Sequence, residues 1–188
     1  QTDNDIKAIF IEVDSGGGSP LAGEEIANAL KLATKPTVVM IRGMGASSAY
    51  YASTGADIIF ASQNSDVGSI GVTWSYMDAA QKNQKEGLTY NQVSSGEFKD
   101  MGDPDKPLTK AERALAMRDI NIMEENFIKA VAENRKLDIE KVRQMADGSS
   151  MLGQMALENG LIDKIGGINE VQDYLEETIG EKPEFCWQ

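Results

Sequence analysis

Residues 6–20 read Ile-Lys-Ala-Ile-Phe-Ile-Glu-Val-Asp-Ser-Gly-Gly-Gly-Ser-Pro. The first part, Ile6–Val13, is a β-rich run with little polar interruption, which is typical of a buried strand in a parallel sheet. A glycine-rich turn follows, and Ser19 is a suitable helix N-cap because the next residue is a proline. Helically spaced apolar residues then occupy Leu21–Thr34, and a second strand is predicted at Thr37–Ile41. This order predicts a parallel pair of strands joined by a right-handed crossover.

The remainder of the chain changes from strand-rich to helical. Residues 43–53 are predicted to form a tight turn that leads into a short buried helix, and further strands are predicted at Asp57–Ala61, Val67–Trp74 and Thr89–Val93. Predicted helices occupy Met77–Glu86, Asp138–Ala146, Met151–Glu158 and Ile168–Ile179, together with a long helix that Thr109 caps and that ends near Asn134. Glu112 stands at the capping-box position of that helix. The fold class is therefore α/β, with a strand-rich part at 1–107 and a mainly helical part at 108–188.

Composition excludes several classes of protein. A net charge of −12 disfavours binding to nucleic acid or to anionic lipid. The chain contains no histidine, so a Ser-His-Asp triad, a Cys-His dyad and histidine-ligated zinc are all excluded within it. Its one cysteine, Cys186, allows no internal disulfide. Any hydrolase here must take its base from Lys, Asp, Glu or Tyr, or from another chain.

Four short segments contain candidate catalytic groups, and each also has an ordinary structural explanation. The glycines around Gly17 allow backbone N–H groups to approach a ligand, or simply form a tight turn. Ser47 lies among small residues before a helix, where it is either an accessible nucleophile or a helix cap. Lys99 lies on a polar loop; a lysine must be neutral to act as a base, which burial favours, but most loop lysines are solvated. Ser69 lies between glycines in a strand-like segment.

The order and spacing of these segments resemble the signal peptide peptidase A family of Ser–Lys peptidases, within the ClpP/crotonase fold group. The similarity extends from Ile6 to about Leu175. The matching segments are Ser15-Gly16-Gly17-Gly18, Ala46-Ser47-Ser48-Ala49-Tyr50-Tyr51, Val67-Gly68-Ser69-Ile70-Gly71-Val72, Ser95-Gly96-Glu97-Phe98-Lys99-Asp100, Ala146-Asp147-Gly148 and Asn159–Asp163. Two departures are that Gly16 replaces a proline and that Ser48-Ala49 replaces a pair of glycines.

The resemblance implies a role for each matching residue. Ser47 is the expected nucleophile, with Ser48 as the alternative, and Lys99 is the expected general base. Ser69 is expected to hold the lysine amine by a hydrogen bond. Backbone N–H groups of Gly17 and Ser48 are expected to form the oxyanion hole. No metal and no organic cofactor is implied.

The resemblance also implies an architecture and a setting. We expect repeated ββα units of the ClpP/crotonase type with a helical C-terminal part, all in one peptidase domain (1–188). We expect this chain to be a fragment of a longer, membrane-anchored protein, its peptidase domain soluble on the extracytoplasmic side. Expected substrates are short apolar peptides such as signal peptide remnants, cleaved by a homo-oligomeric ring or dome with active sites near protomer interfaces. The alternatives are a non-catalytic ring-forming scaffold and a crotonase-like acyl-CoA enzyme.

Overall fold

The computed structural model describes residues 5–186. The described chain forms two compact units: the first comprises the residues up to Gly71 and those from Glu125 onward, and the second is Val72–Glu124. The strands are β1 Ile9–Ser15, β2 Thr37–Ala46, β3 Ile58–Ala61, β4 Asp66–Gly68, β5 Ser150–Leu152 and β6 Lys164–Ile165. The helices are α1 Pro20–Lys31, α2 Ser48–Ser53, α3 Ala80–Lys85, α4 Lys110–Arg135, α5 Ile139–Met145, α6 Gly153–Asn159 and α7 Ile168–Ile179.

The first unit is built on a mainly parallel six-stranded sheet with β2 at its centre. Strand β1 pairs in parallel along one edge of β2. On the other edge, β3 pairs with the first half of β2 and β4 with its second half, both in parallel. The short strands complete the sheet, because β6 pairs with β3 in parallel and β5 pairs with β4 in antiparallel fashion. The prediction of a parallel pair of strands around α1 is therefore confirmed.

Both faces of the sheet are covered by helices, as the apolar sequence of β2 predicts. Alternate residues of a strand point to opposite faces, and β2 contributes Val39 and Ile41 to one apolar cluster and Val38 and Met40 to the other. The first cluster includes side chains of α2, α4 and α6, and the second includes side chains of α7. Ser47, the candidate nucleophile, follows directly after β2, which is covered by helices on both faces.

Several predicted elements are wrong or have different bounds. Residues 89–93 lie outside regular secondary structure, and the strand predicted at Val67–Trp74 is reduced to β4. Positive φ angles of 100° at Gly68 and 50° at Ser69 turn the chain out of the extended conformation there. The segment 150–152 is strand β5 rather than the start of a helix.

The helix boundaries follow the capping residues more closely. Helix α7 has the predicted bounds. At the start of α4, Thr109 N–H donates to the Glu112 carboxylate at 2.8 Å and Glu112 N–H donates to Thr109 Oγ1 at 3.2 Å, which confirms the capping box. Among residues 5–186, none of the helices combines the length and the apolar character that crossing a bilayer requires.

Candidate active site

Ser47 occupies a strained turn between β2 and α2. Its backbone has φ 52° and ψ −128°, a region that residues with a side chain rarely adopt. Two backbone hydrogen bonds hold this conformation: Ser47 N–H donates to Gly68 O at 2.8 Å, and Tyr51 N–H donates to Ser47 O at 3.0 Å. Strain of this kind costs about 1–3 kcal/mol and persists only where the surroundings enforce it.

The Ser47 side chain does not cap the helix that follows it. Ser47 stands at the N-cap position of α2, but its hydroxyl makes no capping hydrogen bond, and it has no hydrogen-bond partner among the described residues of the first unit. The side chain is half-buried. The ordinary explanation of this residue as a helix cap is therefore wrong, and the hydroxyl is available for chemistry.

Helix α2 is firmly anchored in the core behind Ser47. The Tyr50 side chain is completely buried, and its hydroxyl donates to Leu161 O at 2.8 Å. Burial is the main reason why the pKa of Tyr50 is raised well above its usual range, so this hydroxyl stays protonated. Tyr51 stacks on Phe127 of α4, with 5.1 Å between ring centroids. The turn at Ser47 is thus fixed to a rigid element.

The glycine turn after β1 lies directly against Ser47. Gly17 has φ +101°, and a Cβ atom placed on it would lie 2.8 Å from Ala46 O, 2.8 Å from Ser47 Cβ and 3.0 Å from Ser48 N. Only glycine therefore allows this approach. The Gly17 N–H donates to Ser15 Oγ at 3.1 Å, so it would have to leave that acceptor to bind an oxyanion.

Ser48 is the first residue of α2, and its N–H group has no acceptor within the helix. Helix α1 crosses very near to it, since a Cβ atom on Gly23 would lie 2.7 Å from Ser48 O and 3.1 Å from Ser48 Cβ. Sequence reasoning missed Gly23, although a glycine in the interior of a helix often signals a close approach of another backbone.

Ser69 belongs to the same corner of the first unit. It follows Gly68, whose carbonyl accepts the Ser47 N–H. The Ser69 hydroxyl donates to Gly148 O at 2.9 Å, and its N–H donates to Ser149 O at 3.0 Å. The structure therefore brings Ser47, Ser48 and Ser69 together with the glycine turn.

Lys99 belongs to the second unit, and its association with Ser47 stays a prediction. It is exposed, in a turn where its N–H donates to Gly96 O at 3.2 Å. The adjacent Asp100 accepts hydrogen bonds from Tyr90, Gln92 and Lys106, at distances of 2.8–3.0 Å.

These interactions join the Lys99 segment to the start of α4. Lys106 contacts both Asp100, at 3.0 Å, and Glu112, at 2.6 Å. Burial opposes ionisation of Asp100, but the hydrogen bonds from Lys106 and Tyr90 dominate and lower its pKa. Sequence reasoning assigned no role to Lys106, because a lysine between prolines gives no signal of its partners.

A family model gives the decisive comparison. The model of peptidase family S49 matches residues 29–181, which is most of the chain. The chain belongs to peptidase family S49. The matched range includes Ser47, Ser48, Ser69 and Lys99, and it begins after the glycine turn.

Relatives at moderate identity agree with this assignment. The chain is 35% identical over 179 residues to a candidate protease of Methanocaldococcus jannaschii, covering 94% of this chain and 58% of the relative. It is 33% identical over 178 residues to a candidate signal peptide peptidase SppA of Enterococcus faecium, covering 93% and 52%. It is 32% identical over 190 residues to Protease 4 of Haemophilus influenzae, covering 99% and 31%. The chain thus spans between about a third and three-fifths of the length of these relatives.

The solved structures confirm the fold. A ClpP1 mutant from Listeria monocytogenes superposes with a TM-score of 0.56 at 17% identity, covering 87% of this chain and 75% of that one. The predicted ClpP/crotonase-like α/β fold is therefore confirmed.

Proposed function

We propose that this chain is the catalytic domain of a serine endopeptidase that uses Ser47 as nucleophile and Lys99 as general base. The observation that carries the proposal is the Ser47 turn: a strained, half-buried serine with an uncommitted hydroxyl stands at the start of a helix. Membership of peptidase family S49 supports the same activity. Because the chain has no histidine, a lysine is the natural base for such a serine.

The mechanism follows from these groups. The Lys99 amine accepts the Ser47 hydroxyl proton as Oγ attacks the scissile carbonyl, and it later returns that proton to the leaving amine. The N–H groups of Ser48 and Gly17 stabilise the oxyanion by hydrogen bonds. The Gly17 N–H does so after its hydrogen bond to Ser15 Oγ has broken. Ser69 accepts a hydrogen bond from the lysine amine and fixes its direction.

The proposed substrates are short, extended, mostly apolar peptides such as signal peptide remnants. A relative that is named as a candidate signal peptide peptidase supports this class. We further propose that the domain works in a homo-oligomeric ring or dome with active sites near protomer interfaces. In this proposal it is part of a longer membrane-associated protein and faces the extracytoplasmic side. The greater length of the relatives supports the presence of further segments.

The test is hydrolysis of fluorogenic peptides with apolar residues before the scissile bond. Wild type would be compared with Ser47→Ala, Lys99→Ala and Ser48→Ala at matched oligomeric state, with Lys82→Ala as a control for loss of an exposed lysine. We expect the first two variants to lose activity by a factor on the order of 10⁶ in kcat, as when a serine peptidase loses its nucleophile. The other two variants should still cleave.

Two results would contradict the proposal. Full activity in Ser47→Ala together with loss of activity in Ser48→Ala would transfer the nucleophile to Ser48. An assembled wild-type protein that cleaves no peptide would favour the non-catalytic scaffold.

A further inference from the structure

A tight turn at residues 147–149 packs against Ser69 and holds it in place. The Ser69 hydroxyl donates to Gly148 O at 2.9 Å and the Ser69 N–H donates to Ser149 O at 3.0 Å. In return, Gly148 N–H donates to Ile70 O at 3.0 Å. Two hydrogen bonds of Ser69 and a third at the adjacent Ile70 therefore hold a serine whose own φ of 50° is unfavourable.

The carboxylate of Asp147 organises the 147–149 turn. Asp147 Oδ1 accepts hydrogen bonds from Ser149 N–H at 2.9 Å and from Ser149 Oγ at 2.6 Å. An aspartate that bonds to the backbone two residues later stabilises a turn of this type. The next residue, Gly148, has φ +82° and completes the turn. The directions of the Gly148 and Ser149 carbonyls, on which Ser69 depends, follow from this arrangement.

The hydrogen bond to Gly148 O determines whether the Ser69 hydroxyl can donate or accept a further hydrogen bond. A serine hydroxyl has one hydrogen to donate and two lone pairs with which to accept. The hydrogen is committed to Gly148 O, so Ser69 presents only an acceptor to any further group. A lysine amine that donates one N–H to this acceptor keeps its lone pair for a serine proton. The same contact persists after protonation, because an ammonium group is also a donor.

We propose that Asp147 is a positioning residue, which holds the 147–149 turn so that the Ser69 hydroxyl accepts a hydrogen bond from the amine of the general base. The inference rests on the proposed peptidase function and adds to it a residue remote in sequence from both Ser47 and Lys99. Asp147 acts only through Gly148, Ser149 and Ser69.

The experiment compares Asp147→Ala with Asp66→Ala. Asp66 is a matched control, because its carboxylate also accepts a hydrogen bond from a nearby serine, Ser150 Oγ at 3.1 Å, without bonding to the 147–149 turn. We expect Asp147→Ala to lower kcat by about 10- to 100-fold, the effect of misplacing a catalytic group by about 1 Å, with KM unchanged. Asp147→Asn keeps an oxygen acceptor and should recover most of the activity. Asp66→Ala should retain the wild-type kcat.

A double-mutant cycle with Ser69→Ala distinguishes positioning from general destabilisation. If Asp147 acts through Ser69, Asp147→Ala should have no further effect in the Ser69→Ala background. Equal losses in both backgrounds, or an equal loss in Asp66→Ala, would overturn the inference. If Ser69→Ala alone has no measurable activity, the contrast between the Asp147 and Asp66 variants decides the question.

Amide hydrogen exchange separates this inference from the proposed function. Without substrate, the Ser69 and Gly148 amides should exchange faster in Asp147→Ala than in wild type. Hydrolysis that depends on Ser47 and Lys99 but is indifferent to Ser69→Ala and Asp147→Ala would overturn this inference alone. A wild-type protein that hydrolyses no peptide would overturn both, whatever the exchange rates.

Discussion

Replacement of Gly23 by alanine should impair catalysis more than stability. A Cβ atom at this position would lie 2.7 Å from Ser48 O and 3.1 Å from Ser48 Cβ. Favourable contacts between heavy atoms begin near 3.5 Å, so α1 and the start of α2 must separate by about 0.4–0.8 Å. Because Ser48 follows the nucleophile directly, this shift displaces both the Ser47 hydroxyl and the Ser48 N–H group.

The expected effects on stability partly cancel. Alanine is favoured over glycine in a helix interior by about 1 kcal/mol, whereas overpacking costs about 1–3 kcal/mol. The net loss in the free energy of unfolding should therefore be about 0–2 kcal/mol. By contrast, kcat should fall by about 10- to 100-fold, because small displacements of catalytic groups are costly.

The assay pairs urea unfolding with hydrolysis of a fluorogenic peptide. Ala29→Gly provides the control, since Ala29 is exposed on the same helix and its replacement removes about 1 kcal/mol of helix propensity without touching α2. This control should keep the wild-type kcat. A Gly23→Ala protein with undiminished kcat and increased stability would refute the argument that the close approach of α1 to α2 at Gly23 positions Ser48.

Two further predictions concern stability. The hydrogen bond from Lys106 is the main reason why the pKa of Glu112 is lowered to about 2 from 4.5. Ionised Glu112 thus stabilises the fold above about pH 4.5, and this stability is lost as the pH falls towards 2. Measured by urea unfolding, the free energy of unfolding of Glu112→Gln should fall less between neutral pH and pH 2 than that of wild type. Parallel pH curves for the two proteins would contradict this. Tyr50→Phe leaves the Leu161 carbonyl without its buried donor and should cost about 1–3 kcal/mol in urea unfolding, whereas an unchanged midpoint would mean that water replaces the hydroxyl.

Elements with local signals were predictable from the sequence, and elements that depend on distant partners were not. The capping box at Thr109 and the glycine after Ile179 act within a single turn of helix, so the sequence alone locates those helix ends. Strands β5 and β6 have only three and two residues and exist because β4 and β3 offer edges to them. Residues 89–93 have strand-like composition but no partner strand within the described chain.

The candidate site shows the same division. Ser47, Ser69 and the glycine turn were selected by motif, and the structure brings them together. The motif could not indicate that Ser47 leaves its capping position unused, since this follows from its backbone angles. Nor could it assign a role to Gly23, which lies against Ser48, or to the proposed positioning residue Asp147, whose turn contacts Ser69 although the two are far apart in the sequence.

The order in which the sheet is completed has a consequence for synthesis of the protein. The β3 edge is closed by β6 and by the Asp163 carboxylate, which accepts the Ile59 N–H from 104 residues away in the sequence. At translation rates of about 5–20 residues per second, a ribosome needs roughly 5–20 s to make the intervening chain. Throughout that interval the nascent β3 presents an apolar edge that has no partner. The newly made chain is therefore expected to be most prone to aggregation, and most dependent on chaperones, before residues 163–165 emerge from the ribosome.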